Sequence, residues 1–409
     1  MFRIFLALFL VSCLSTSCKL NKLYNQTVIE NEVFSTTFNF KKLPSGHIVI
    51  PVLIKGTEYS FLLDTGTPNI ISRELAEALK LEHVYHKKYL DSQDNSLELS
   101  LTIIDKLSIG GINFLNNATT IHNFDKSPPT IRCLNISGVI GANLMKKAVW
   151  EFDFEKNEIT ITGNKNYTVR GNDARIDFTT GYSGTPKVPI SINGIRDGRS
   201  YVDFGAKGFY KSSKKTYNKL CRRANKHKCQ TTSGYGSIAS GAFGYEQPDS
   251  SYVALVHSFA IGKTQPAVLN DQLITLSNHS DKLLGLDFFE NYHTIINWPD
   301  REIILRKRKN TEKIEAYHSF GFRVIYRDNK LYVGFLYNNS PAALAGLKLD
   351  DQILRINEFD FDHSNVDKFC TFLNSNTLKN SSQLNLTLLR NGAQEEIVLY
   401  KKDLFVGKE

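Results

Sequence analysis

The chain has 409 residues, 50 Lys and Arg against 41 Asp and Glu, and a formal net charge of +9. With 41% hydrophobic and 22% charged residues it holds enough apolar material for packed cores. That excludes a disordered or fibrous chain, and the length allows roughly two to four domains at ~100–200 residues each. The 26 Phe and 18 Tyr suit strands.

The N-terminus, Met1-Phe2-Arg3, leads into an apolar run from Ile4 to Leu14. This run is too short for the ~20 residues of a bilayer span and reads as a signal-peptide core. Cys13 after Leu10-Val11-Ser12 and Cys18 after Ser15-Thr16-Ser17 both resemble bacterial lipoprotein processing sites. Cys18 leaves the more workable apolar core, so residues 1–18 are expected to form a leader with Cys18 as the lipidated residue. A plain cleaved signal is the alternative. The expected location is the periplasm or cell envelope, with the membrane reached only through that lipid. Export permits disulfides. Of Cys133, Cys221, Cys229 and Cys370, the pair Cys221–Cys229 is near enough in sequence to close a small loop. No cysteine spacing suits zinc.

Two strand-turn-strand units follow. In the first, residues 47–64 form apolar runs around a Lys55-Gly56 turn, and the return strand delivers Asp64-Thr65-Gly66-Thr67. In the second, Val188 to Asn193-Gly194 and Ser200-Tyr201-Val202 deliver Asp203-Phe204-Gly205-Ala206. Each is followed at a similar distance by an apolar-apolar-Gly landmark, Val139-Ile140-Gly141 and Leu283-Leu284-Gly285. Each landmark precedes a short helical stretch and another hairpin, around 150–161 and 294–305. Matching features in one order indicate an internal duplication.

Over residues 33–309 this pattern resembles the pepsin-like and retropepsin-like aspartic peptidases, most nearly the bacterial retropepsin-like group. The resemblance implies a mainly β fold: two homologous acid-protease β-barrel lobes in one chain, residues 19–165 and 166–309. It implies Asp64 and Asp203 as a catalytic dyad, with Thr65, Gly66, Thr67 and Gly205 in support. Two carboxylates about 3 Å apart cannot both ionise, so they share a proton. The ionised one draws a proton from water while the protonated one polarises the substrate carbonyl. A polypeptide substrate, a monomeric enzyme and no cofactor or metal are expected.

One departure stands out. The family's second hydroxyl residue, which reaches across to the other lobe, is here Phe204. A catalytically weak or inactive peptide-binding scaffold is therefore the rival reading, and a homodimer pairing two copies of Asp64 a lesser one. The polar turn Asp91 to Asn95 reads as a first flap over the cleft. Gly234-Tyr235-Gly236 and Gly241 to Gly244 read as a second.

Beyond 310 the composition shifts. Ser340-Pro341, the segment Asp351-Gln352-Ile353-Leu354-Arg355-Ile356-Asn357, a helix over Asn365 to Leu373 and a hairpin at Asn391-Gly392 resemble a PDZ domain over about 317–402. This implies an α+β domain at 310–409. Phe320, Gly321 and Phe322 would form its carboxylate-binding loop, and a C-terminal peptide would add as a strand beside Arg323 to Tyr326. The same module can instead dock on the protease lobes.

The positive excess is local: residues 207–228 hold nine Lys and Arg and no acid. The stretch reads as a solvated helix face, or else as a surface for acidic substrate or an anionic envelope. No nucleic-acid motif accompanies it. A serine-nucleophile elbow and the His-Glu-x-x-His metal motif are also missing from the sequence.

Overall fold

The computed structural model describes residues 19–163, 167–222, 230–278, 281–308 and 316–405. The leader with Cys13 and Cys18, and Cys229 of the expected Cys221–Cys229 pair, lie outside the described residues. The chain is mainly β, with a small α+β module at its C-terminal end.

Strands Ile48–Ile54 and Thr57–Asp64 pair antiparallel around Lys55 and Gly56, both at positive φ. That is the turn geometry whose twist matches paired strands. Phe61, Leu62 and Leu63 are all buried, because strand Gly138–Gly141 runs parallel beside them and sets Gly141 opposite Asp64. Gly138 permits this approach, since a Cβ there would meet Phe61 Cδ1 at 2.8 Å. The second half repeats the arrangement. Strands Pro186–Ile192 and Ile195–Asp203 turn at Asn193 and Gly194, again with positive φ, and Leu283–Gly285 runs parallel with Gly285 opposite Asp203. Each Asp thus ends a buried strand and meets solvent only where the strand stops.

A six-stranded sheet joins the halves from below, in the order Ala174–Asp177, Glu302–Lys307, Tyr292–Asn297, Val149–Asp153, Glu158–Thr162, Ser35–Asn39. Its centre is the antiparallel pair Val149–Asp153 with Tyr292–Asn297, one strand from each half. A single apolar core spans both, including Trp150, Phe152, Phe204, Phe288 and Phe289. The base is therefore common to both halves, and the two Asp loops cannot part without disturbing it.

The C-terminal module has its own core around Phe320, Tyr326, Leu331, Phe369 and Leu386. Helix Val366–Ser375 is capped by the Asn365 side chain and stopped by Asn376 in the left-handed region. The module is sewn to the rest by backbone pairing and by a covalent bond, among other contacts. Its strand Lys330–Tyr337 pairs antiparallel with Thr231–Gly236 of the second half, so one sheet runs through both. A side chain on Gly236 would drive into the backbone of Gly334 and Phe335, which explains the glycine. The second seam is a disulfide between Cys133 and Cys370. Cys221 is also disulfide-bonded.

Candidate active site

The structure brings Asp64 and Asp203 together. Asp64 Oδ1 accepts from Gly66 N at 2.7 Å, and Asp203 Oδ1 accepts from the N–H groups of Gly205 and Ala206, each at 3.0 Å. Each carboxylate also lies over the other half's glycine. A Cβ on Gly66 would stand 2.6 Å from Asp203 Cγ, and one on Gly205 would collide with the Asp64 carboxylate. Glycine is required at both places because the carboxylates need that space. The two side chains hydrogen-bond each other. Burial raises the Asp64 pKa. At Asp203 burial and then the neighbouring Asp64 charge raise it well above the usual carboxylate range. The pair therefore retains a proton where ordinary carboxylates have lost theirs.

Thr65 is fully buried between the halves. Its Oγ1 donates to Val202 O at 2.7 Å and accepts from Phe204 N at 3.1 Å. One hydroxyl thus holds the opposite loop on both sides of Asp203. Phe204 takes no part in the tie through its side chain. The ring is 0% exposed and packs on Phe152 and Phe289, with centroids 5.1 and 5.0 Å away. The ring is housed below the loop as a core residue. Thr67 supports the loop through its carbonyl, which accepts from Ala142 N at 2.8 Å.

Residues to which sequence reasoning gave no role at the site brace the loops. Asn69 N donates to Asn143 Oδ1 at 2.7 Å, while Gly141 N donates to Asn69 Oδ1 at 2.8 Å. In the second half an ion pair, Lys207 with Asp287 at 2.5 Å, lies in the corresponding place. His47 Nε2 donates to Gly205 O at 3.1 Å and so crosses between the halves. Burial lowers its pKa to about 4, which keeps it neutral. The signals were thin: Asn69 and Asn143 follow the two motifs closely, whereas nothing near His47 points to Gly205.

The polar turn after Tyr85–Leu90 is a hairpin tip, closed by strand Ser96–Ile109. Asp91 Oδ1 accepts from Gln93 N and Asn95 N, both at 2.9 Å. The tip reaches the second half, where Gln93 Oε1 accepts from Lys211 Nζ at 3.0 Å. There it meets the connection between Thr231–Gly236 and Asp249–Val256. Asp91 Oδ2 accepts from Phe243 N at 2.9 Å, and Asn95 Nδ2 donates to Tyr245 O at 3.3 Å. The expected flaps are interlocked tip to tip.

Among the described residues the basic stretch is only partly a solvated face. Lys207 pairs with Asp287, Lys211 with Glu246 at 3.7 Å and Lys214 with Asp249 at 3.1 Å. Acids distant in sequence converge on it, which the local composition conceals. Lys215 and Lys219 are exposed, while Arg223, Lys226 and Lys228 lie outside the described residues. In the C-terminal module Phe320 and Phe322 are core residues, 3% and 5% exposed. Gly321, at φ 89°, gives its N–H to Ser319 Oγ at 3.0 Å.

Among the described residues no group of three or more His, Cys, Asp or Glu is disposed to hold a metal ion. No described helix is long and apolar enough to cross a membrane. Residues 50–144 match the model of the aspartyl protease family. No curated protein matches the chain. The matched segment runs from the strand before Asp64, through the hairpin that carries Asp91, to just past the Gly141 landmark, and it supports a protease-type function.

Proposed function

We propose that the protein is an aspartic endopeptidase with two homologous lobes in one chain, Asp64 and Asp203 as its dyad, and a C-terminal PDZ domain. The observation that carries this reading is the reciprocal seating of each carboxylate on the other half's glycine, where burial and the neighbouring Asp64 charge raise the Asp203 pKa. A water bound between the carboxylates loses a proton to the ionised one and attacks the peptide carbonyl. The protonated partner gives its proton to the carbonyl oxygen as the tetrahedral diol forms. The proton taken from water then passes to the nitrogen as the C–N bond breaks, and a diol proton returns to the second carboxylate. Thr65, Gly66, Thr67 and Gly205 hold the loops so that neither carboxylate needs to move. The interlocked flaps roof the substrate chain. Phe204 forgoes the reciprocal hydroxyl tie, but its ring lies in the core away from the carboxylates, and Thr65 still fixes the second loop by two hydrogen bonds.

The proposal extends to location. An exported protein tethered through Cys18 accords with the Cys133–Cys370 disulfide, which belongs in an oxidising compartment. The PDZ reading draws support from the order of the module's strands and helices and from the Ser319 to Phe322 loop at the head of its strand Phe322–Arg327.

The dyad is tested by assaying Asp64→Asn and Asp203→Asn on an unfolded protein substrate from pH 3 to 7. Each is expected to lose on the order of 10²–10⁴ in rate. The wild-type profile is expected to be bell-shaped, failing in acid when both carboxyls are protonated and again at higher pH when both ionise. Equal cleavage by wild type and both variants removes the dyad. No cleavage by wild type at any of these pH values leaves a peptide-binding scaffold.

A further inference from the structure

The tip of the second flap is gripped from several directions. The first flap holds it through Asp91 and Asn95. The loop before Cys133 holds it too: Ser127 Oγ donates to Ala242 O at 2.8 Å, and the Thr130 and Ser240 hydroxyls meet at 2.8 Å. The remaining grip comes from the C-terminal module. Tyr245 Oη donates to Tyr326 O at 3.0 Å and accepts from Tyr326 N at 3.3 Å.

That contact falls on a particular part of the module. Arg327 and Lys330 close a two-residue turn, and Tyr326 pairs with Leu331 one step behind it. At such a position the N–H and C=O point away from the hairpin partner. They belong to the open edge of strand Phe322–Arg327, where an added strand would pair. The flap's tyrosine takes them instead. The Tyr326 ring stacks on Phe369 of helix Val366–Ser375, centroids 4.7 Å apart, and the next residue, Cys370, is bonded to Cys133. Helix, strand edge and flap tip are thereby fastened around one cavity of about 330 Å³, lined by Pro128, Phe243, Tyr245, Tyr326 and Val366 among others. The strand leading into the flap tip, Thr231–Gly236, is itself paired to the module. The flap can lift only by breaking the Tyr245 contacts or by carrying the module with it.

We propose that Tyr245 is a positioning residue: its hydroxyl on Tyr326 makes the C-terminal module a clamp that holds the second flap closed. The inference rests on reading Asp64 and Asp203 as the working site beneath that flap. A resting enzyme with its flap held down binds substrate weakly in proportion to the time it spends closed. Loosening the clamp therefore lowers KM while kcat stays nearly unchanged.

The test is hydrogen exchange on the full-length chain carrying Tyr245→Phe, which keeps the ring and removes the hydroxyl. Exchange across residues 237–248 is expected to quicken at least about five-fold, since both hydrogen bonds of the hydroxyl are lost and each alone accounts for about that factor, with strand Thr57–Asp64 unaffected. Kinetics on a polypeptide substrate are expected to show a lower KM with kcat within about two-fold. A Cys133→Ser, Cys370→Ser double variant, which frees the module's helix, is expected to quicken the same segment. Unchanged exchange at 237–248 in both variants overturns the clamp. So does a rise spread equally over Thr57–Asp64, which marks general loosening. Exchange is read whether or not the protein cleaves anything, so an inactive wild type would defeat the reading of the site while the clamp is still decided.

Discussion

Asp203 carries a stability consequence as well as a chemical one. Its folded pKa lies well above the unfolded value, so between the two the folded state binds more protons. Stability from this group is full below the unfolded pKa and is lost as pH rises through the folded one. Asp203→Asn removes that dependence. Its melting temperature is expected to fall less than that of wild type between pH 4 and pH 7, measured by calorimetry in matched buffers. An equal fall in both proteins would place the burden elsewhere. Asp64 and Asp203 were legible in the sequence because each ends an apolar strand and is followed by an apolar-Gly landmark. The place of the Phe204 ring was not, since its neighbours Phe152, Phe154 and Phe289 come from segments the sequence gives no way to assemble. His47 was hidden for the same reason: its partner, Gly205, belongs to the other half.

The flaps show how far an element can be read from its own residues. A polar turn between apolar runs indicates a hairpin, and Tyr85–Leu90 with Ser96–Ile109 is one. The identity of what the turn touches depends on how the halves face each other. Asp91 accepts N–H groups from its own tip and from Phe243, so it organises both flaps at once. Gly241 is packed so closely on the Asp91 carboxylate that a Cβ could not fit. Asp91→Ala leaves those N–H groups without their acceptor, at about 1–3 kcal/mol for a buried donor and less where water replaces it. The expected result is local: limited proteolysis finds new cuts at 91–95 and 240–246 together, while the base sheet stays resistant. Cuts confined to the first flap would show that the tips are independent.

At the scale of the molecule, the sequence leaves open whether the C-terminal module stands apart or docks on the rest, and the structure joins it by a sheet and a disulfide. Sequence proximity raises only the Cys221–Cys229 loop, whereas Cys133 and Cys370 pair across a separation of 237 positions. Spacing carries no trace of such a bond, because it follows from helix Val366–Ser375 resting against the short helix Pro129–Arg132. Replacing both cysteines by Ser is expected to cost about 2–5 kcal/mol, read from urea midpoints. A midpoint unchanged from the oxidised wild type would show that the non-covalent seam suffices. The shared sheet has a further consequence, for the order in which the chain is made. Strand Thr231–Gly236 leaves the ribosome well before Lys330–Tyr337, and until its partner arrives one side of it is a bare sheet edge open to pairing with any neighbouring chain. A nascent chain stalled in that interval is left with an unfinished surface, and a stop codon ahead of Lys330 is expected to yield an adhesive fragment.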